Sequence, residues 1–219
     1  MGVANTKIQK PQIPSDLSVS EKINEIVQEK LKYGYDVQNY LFRAGTLNSI
    51  SVPFAEFYKC IFEKCTFLKS DIKNYVFEDV IFKDCDLSNM DFTQARFSSI
   101  EFINCNLTGT LMTYAQICDT SFIECSMRYS NFSNADIQRS MIRKSNLSNS
   151  CIWEAKQKDL QFSECNLSSV EFAGTMLKDV DVTTCEIGGI IIRGPELKGM
   201  IVTDYQAVAL SKILGLIVR

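Results

Sequence analysis

The sequence contains no histidine, only one tryptophan and four prolines, and it has no run of eighteen apolar residues. Without histidine, it lacks the commonest side chain for acid–base catalysis at neutral pH and for metal binding. No Cys-x-x-Cys pair and no glycine-rich phosphate loop replaces it. The apolar runs are too short for a membrane helix, and no signal peptide is evident. We therefore expect a cytoplasmic protein that is not an enzyme and has no catalytic, cofactor or metal site.

What the sequence does have is an apolar residue at every fifth position. The register runs from Leu47 to Val202 without a slip, and Gln157 is the only polar residue among its 32 positions. A period of five fits neither a helix, at 3.6, nor a strand, at two. The chain must therefore turn a corner after each short extended segment and direct the same position inward each time.

A second period of twenty lies two positions before the apolar one. Small residues recur there in two ladders, Cys65, Cys85, Cys105, Cys125, Ser145, Cys165 and Cys185 in one and Ala55, Ala95, Ala115, Ala135 and Ala155 in the other. Four five-residue segments thus complete one coil, which predicts a parallel β-solenoid with four flat faces. With coils about 4.8 Å apart, about eight coils form a rod roughly 40 Å long.

Two inward residues per segment, one large and one small, are expected to build the core. Thirteen of the fourteen phenylalanines occupy the central register, and Phe54 is the exception, expected on an outer face. Seven of the nine cysteines occupy the small inward position, which predicts buried free thiols. Cys118 and Cys151 lie at outward positions.

The repeats resemble those of the pentapeptide repeat family, whose pattern is often written A(D/N)LXX. Representative copies are residues 85–89, CDLSN, 135–139, ADIQR, and 165–169, CNLSS. The resemblance implies an all-β, right-handed quadrilateral parallel β-helix. We divide the chain into a lead and capping helix at 1–36, the repeat β-helix at 37–204, and a C-terminal helix and tail at 205–219.

The N-terminal region predicts a helix that closes the first coil. Ser18 and Glu21 have the spacing of a capping box, an apolar stripe follows, and Gly34 marks the end. The stripe consists of Ile23, Ile26, Val27 and Leu31. Docking of a partner protein is the alternative use of this helix.

The C-terminal region predicts a short helix with Asp204 as N-cap and Gly215 as stop. It has more apolar side chains than one end cap needs, which points to a homodimer, or alternatively to a tail buried within the monomer. The predicted interface consists of Tyr205, Val208, Leu210, Ile213, Leu214, Leu216 and Ile217.

The same region resembles the end of the Qnr proteins, pentapeptide repeat proteins that protect DNA gyrase from quinolones. The matching runs are Ile192-Arg193-Gly194, Leu197-Lys198-Gly199, Asp204-Tyr205-Gln206-Ala207 and Leu214-Gly215. The resemblance implies a tail-to-tail dimer that imitates DNA and binds a type II topoisomerase, either DNA gyrase or topoisomerase IV. The N-terminal helix is not part of that pattern, and no loop interrupts the repeat as in several Qnr proteins.

Charge argues against close DNA mimicry. The net charge is −3, whereas DNA of the same length, about 40 Å, carries roughly twenty or more phosphate charges. The most acidic face also exposes Ile61, Ile81, Ile103 and Ile123, which fit either a protein contact or plain strand propensity. Candidate partner contacts are Trp153, Glu101, Glu124, Glu164 and Asp181.

Gln157 marks the one disturbed stretch, residues 153–160, where a buried amide would need partners and a bulge or flipped-out coil is expected. Trp153 beside it either contacts a partner or packs over the defect. Two functions follow from the sequence. The first is a non-enzymatic interaction scaffold with an unidentified partner, and the alternative is a Qnr-like protein that confers quinolone protection. Neither involves a cofactor, direct nucleic-acid binding or a membrane.

Overall fold

The computed structural model describes residues 7–48, 52, 54–68 and 73–218. Short strands dominate the first coils: β1 (Ser18–Ser20), β2 (Val37–Gln38), β3 (Tyr40–Arg43), β4 (Thr46–Leu47), β5 (Glu56–Tyr58), β6 (Ile61–Glu63) and β7 (Thr66–Phe67). Longer strands follow: β8 (Val76–Lys83), β9 (Arg96–Ile103), β10 (Gln116–Ile123), β11 (Asp136–Arg143) and β12 (Lys156–Ser163). Helix α1 spans Ile23–Lys32 and α2 spans Asp204–Ser211, with a 3₁₀ turn at Pro195–Leu197.

The strands of successive coils pair in parallel with an offset of twenty residues. Phe57 pairs with Phe77, for example, and Ile137 with Gln157. One ladder runs through β3, β6, β8, β9, β10, β11 and β12, so seven levels stack on this side. Isolated bridges extend the other two faces as far as Glu186 and Ile191. The predicted quadrilateral parallel β-helix is therefore confirmed, with about seven turns of regular pairing against the eight expected from the repeat.

The corners of the coils carry a left-handed backbone residue two positions after each central apolar residue. Asn89, Asp119 and Asn149 have φ values of 57°, 49° and 60°. Asn and Asp tolerate this conformation better than most residues, which accounts for the polar composition of the corners. Side chains also close the turns locally, since Asp86 Oδ1 accepts a hydrogen bond of 3.0 Å from the Ser88 N–H.

The core is a column of stacked side chains. Phe82 and Phe102 are fully buried, with ring centroids 4.9 Å apart, and Phe102 stands 4.9 Å from Phe122. These separations equal the strand spacing, because identical positions lie directly above one another. Phe54 is 51% exposed, as predicted. Ile72, which belongs to the core register, lies outside the described residues.

The cysteine ladder forms as predicted, and all nine thiols are free. Seven are buried and two, Cys118 and Cys151, are partly exposed. Six of the buried thiols, all but Cys185, bond backbone carbonyls, as Cys85 Sγ does to Phe62 O at 3.2 Å. Ser145 fills the gap in the ladder, because its hydroxyl donates to Arg143 O at 2.9 Å.

Helix α1 covers the first coil through Ile23, Val27 and Leu31, which are buried in the common core. The predicted capping box at Ser18 is wrong, because residues 18–20 pair with β3 as a strand and the helix begins at Ile23. At the other end, the predicted N-cap Asp204 is wrong by one residue. Thr203 is the N-cap, and its side chain and that of Gln206 form a reciprocal capping box.

The expected bulge near Gln157 is absent from the described residues 153–160. β12 keeps the twenty-residue register with β11, and residues 155 and 160 are buried like their counterparts. The break in regular pairing lies instead between β12 and the following coil. β12 is the last strand of the ten-stranded sheet, so the regular ladder ends at Gln157 on this side of the rod.

Candidate protein-interaction surfaces

The C-terminal end exposes a cluster of large apolar side chains on and after α2. Tyr205 and Ile217 are 85% and 87% exposed, the highest values among the large apolar residues of the described chain. Val208, Ile213, Leu214 and Leu216 are also exposed. Leu210 differs from the other predicted interface residues, because it is buried against the last coil and its side chain is not available to a partner. We call the six exposed residues the C-terminal patch.

The patch is held rigidly by a residue that sequence reasoning overlooked. Gln206 is buried, and its Nε2 donates to Val182 O at 2.8 Å and to Cys185 O at 2.9 Å. Its Oε1 accepts from the Thr203 N–H at 2.9 Å. The spacing Thr-x-x-Gln was a visible signal for the capping box. The two bonds to the preceding coil could not be read from the sequence.

A second buried anchor, Glu196, lies under the last coil. Its carboxylate accepts from the Gly174 N–H at 2.8 Å and from the Arg193 N–H at 3.1 Å. Burial raises the pKa of Glu196, but these hydrogen bonds outweigh it and hold the pKa below the ordinary value. The anchor ties the run from Ile192 to Leu197 to the coil before it.

The predicted partner contacts do not form one surface. Glu101 and Asp181 precede central residues of one face, and Glu124 and Glu164 occupy the corner after that same face. Trp153 follows Ile152 two segments away in the coil, which is the opposite face of a four-sided rod. Trp153 is also only partly exposed. A single flat partner could contact the acids or the tryptophan, but not both.

The N-terminal lead covers one edge of the rod, a feature that the sequence did not predict. The Gln12 N–H donates to Asp79 Oδ1 at 2.9 Å, and the Gln9 N–H donates to Asp119 Oδ1 at 3.1 Å. Lys10 Nζ lies 3.7 Å from Glu101 Oε1. Glu101 is therefore already paired within the chain, which lowers its value as a partner contact.

Asp119 is the centre of a small charged cluster beneath the lead. Arg139 Nε donates to Asp119 Oδ1 at 3.0 Å, and its terminal nitrogen donates to Oδ2 at 2.7 Å. The Arg139 hydrogen bonds hold the pKa of Asp119 below its ordinary value. Burial and the Asp119 carboxylate raise the pKa of the adjacent Cys118 thiol, so this thiol is not an activated nucleophile.

Within the described ranges, no group of three or more Cys, Asp and Glu side chains is placed to share a metal ion. The helices that the structure describes are also too short or too polar to cross a bilayer.

Comparison with known proteins agrees with the repeat geometry. Residues 75–152 match the family model described as the pentapeptide repeat region. No curated protein matches the chain.

Among solved structures, trypsin-treated QnrB1, a plasmid-mediated fluoroquinolone resistance protein, is 25% identical to this chain. The alignment covers 82% of this chain and 90% of QnrB1, with a TM-score of 0.48. HetL, a pentapeptide repeat protein involved in heterocyst differentiation regulation from Nostoc sp. strain PCC 7120, is 13% identical. It aligns over 81% of this chain and 96% of its own, with a TM-score of 0.34.

With TM-scores below 0.5, these superpositions carry no argument about partners. The similarity to pentapeptide repeat proteins rests instead on the sequence match over residues 75–152 and on the repeat itself. Each segment of five residues forms one side of a coil, and each coil of twenty residues pairs in register with the next. The chain therefore contains a pentapeptide repeat region, matched over residues 75–152.

Proposed function

We propose that this protein is a non-enzymatic, protein-binding rod that self-associates through the C-terminal patch. The observation that carries the proposal is the clustering of six exposed large apolar side chains at one end of the rod, within residues 205–217. Clusters of this kind on soluble proteins mark interaction sites. A two-fold contact of the patch with a second copy would remove these side chains from water and leave no open-ended assembly.

The rigid mounting of α2 also supports self-association. The Gln206 and Glu196 hydrogen bonds hold the helix and the last coil in one orientation before any partner arrives. A preformed surface loses little conformational entropy on binding. The nine free cysteines are consistent with a reducing cytoplasm, which we include in the proposal.

Sedimentation velocity tests the self-association. The wild-type protein is expected at about twice the chain mass of 24.8 kDa. Ile217→Asp should sediment as a monomer, because it places a charge at the most exposed residue of the patch without touching the core. Leu111→Asp, at a residue 40% exposed on the side wall, should remain dimeric. A monomeric wild-type protein at 100 µM, or a dimeric Ile217→Asp variant, would contradict the proposal.

A type II topoisomerase is the second candidate partner. It is supported by the C-terminal sequence resemblance to Qnr proteins, whose matching residues form the last coil, the 3₁₀ turn and α2. The small net charge of −3 and the uninterrupted repeat are the points against it. The general protein-binding role does not depend on this candidate.

A supercoiling assay with DNA gyrase, with and without a quinolone, distinguishes a gyrase-binding protein from a rod that binds other proteins. A Qnr-like protein should restore supercoiling in the presence of the drug at micromolar concentration. The Ile217→Asp variant, assayed in parallel, shows whether protection requires the dimer or only the rod of a single chain. Absence of both protection and inhibition would remove gyrase from consideration and leave self-association untouched.

A further inference from the structure

The wall of the rod is open on one side between β12 and the following coil. Elsewhere, backbone hydrogen bonds join each coil to the next, as Leu147 N does to Asn166 O at 2.9 Å. Within the described segment 73–218, no backbone hydrogen bond joins residues 155–163 to residues 175–183. The bonds resume on both sides of the gap, from Glu154 N to Ala173 O at 3.0 Å and from Glu186 N to Cys165 O at 2.9 Å.

Side chains replace the missing backbone bonds at three points. Gln157 Nε2 donates to Met176 O at 2.9 Å, where a backbone N–H would reach in a regular coil. At the two ends of the gap, Ala155 N donates to Thr175 Oγ1 at 2.9 Å and Glu164 N donates to Thr184 Oγ1 at 3.0 Å. Gln157, the one polar residue of the core register, thus bridges the opening through its side-chain amide.

The opening is a cleft in the wall and not a hole in the core. Its volume is about 780 Å³, and residues 154–163 and 174–184 contribute its two sides. Leu160, Leu177 and Val180 beneath it remain buried. The volume falls within the usual range of ligand sites, about 300–1,000 Å³.

The free edge of β12 has the hydrogen-bonding pattern of an unpaired strand. In regular coils the N–H of each central residue donates to the next coil, as Phe92 N does to Leu111 O at 2.7 Å. The next coil donates in return, as Leu111 N does to Met90 O at 2.9 Å. At β12 the equivalent groups are the N–H of Gln157 and Phe162 and the carbonyl of Leu160. Alternating donors and acceptors along an edge match the backbone of an extended peptide.

From this juxtaposition we infer that the cleft between β12 and residues 174–184 binds an extended segment of a partner protein, which adds to β12 as a further strand. Each side of the cleft carries charges of both signs: Glu154, Lys156, Lys158 and Asp159 on the β12 side, and Lys178, Asp179 and Asp181 on the other. A segment that carries both signs fits this lining better than a uniformly charged one. The inference rests on the proposal that the rod binds proteins, but it does not require the C-terminal patch.

Fluorescence anisotropy with a labelled octapeptide tests the site. The probe has the sequence of β11, Asp-Ile-Gln-Arg-Ser-Met-Ile-Arg, because β12 already pairs with that strand through its other edge. Saturable binding in the micromolar range is expected. A control peptide with proline at alternate positions should not bind, because proline lacks the N–H that the β12 edge requires.

Two glutamine variants locate the binding. Gln157→Ile restores an apolar residue to the core register and should close the ladder, so affinity should fall at least about tenfold, equivalent to about 1.4 kcal/mol. Gln116→Ile, at an exposed position of β10, should bind as wild type. Equal affinity of Gln157→Ile and wild type, binding of the proline peptide, or no saturable binding at 1 mM peptide would overturn the inference.

Hydrogen exchange provides a second readout that needs no variant to fold. The amides of Gln157 and Phe162 should exchange quickly in the free protein and slow when the peptide is added. Unchanged exchange at both amides contradicts strand addition. The peptide should also bind the Ile217→Asp protein, so that failure at the cleft and failure of self-association appear in different experiments.

Discussion

At the scale of single residues, the corners connect the repeat to the N-terminal lead. Asp79 and Asp119 occupy the same corner position two coils apart, and both are buried under the lead. Two coils span about 9.6 Å, and three extended residues span about 10 Å. This match explains why Gln9 and Gln12, three residues apart, each find an Asp acceptor.

Asp119→Asn should destabilise the protein by about 1–3 kcal/mol, because it removes the charge that Arg139 and the Gln9 N–H share. Urea denaturation measures the loss, and Asp159→Asn, an exposed residue of the same corner column, is the control. Equal stability of both variants would show that the cluster contributes nothing.

The pH dependence of the same cluster has a definite sign. Arg139 lowers the folded-state pKa of Asp119 below the reference value of 3.8. The stabilisation is therefore fully present above the unfolded-state pKa and is lost as the pH falls through the lower folded-state pKa. Asp119→Asn should be less stable than wild type at neutral pH, and the difference should shrink as the pH falls through the folded-state pKa of Asp119.

At the scale of elements, each end of the rod is closed by a helix that fits its coil in a different way. α1 packs so closely on the first coil that a Cβ at Gly45 would lie 2.5 Å from Ile23 Cγ2 and 2.9 Å from Glu21 O. α2 instead is tied by the buried amide of Gln206, buries Leu210 and leaves Tyr205 and Val208 exposed. The first coil is thus covered by close packing, whereas the other end leaves the C-terminal patch exposed.

Gly45→Ala should destabilise the N-terminal cap by about 1–3 kcal/mol, because the added methyl group meets both a side chain and a backbone carbonyl. Gly188→Ala is the matched control, since its Cβ would come no closer than 3.9 Å to another atom and its φ is not positive. Thermal unfolding of both variants measures the difference. A Gly45→Ala protein as stable as Gly188→Ala would show that α1 can move to admit the methyl group without loss of stability.

At the scale of the whole molecule, the gap at β12 divides an otherwise continuous rod. In solenoids each repeat is stabilised mainly by its neighbours, so loss of the bonds across one interface on two of four faces weakens everything beyond it. The last coils, the 3₁₀ turn and α2 depend on the remaining two faces and on Glu196 and Gln206. The C-terminal end is thus joined to the central coils by fewer backbone hydrogen bonds than those coils are to one another.

Native-state hydrogen exchange should reveal this division. Amides of residues 176–202 that are hydrogen-bonded should open at lower free energy than those of residues 76–143, because fewer backbone bonds tie them to the rest. Gln157→Ile should reduce the difference, whereas Gln116→Ile should not. Uniform exchange along the whole rod would mean that the core packing across the gap compensates for the missing bonds.

The sequence by itself determined the coil, its period, the inward cysteines and phenylalanines, and the two end helices. It could do so because each coil repeats the same contacts, so a local pattern dictates a long-range pairing. The tertiary structure alone decided which acids are already paired and that Leu210 is buried. It also decided that the disturbance at Gln157 opens the following interface instead of its own strand. These outcomes depend on contacts between residues in different coils or outside the repeat, which no fixed spacing records.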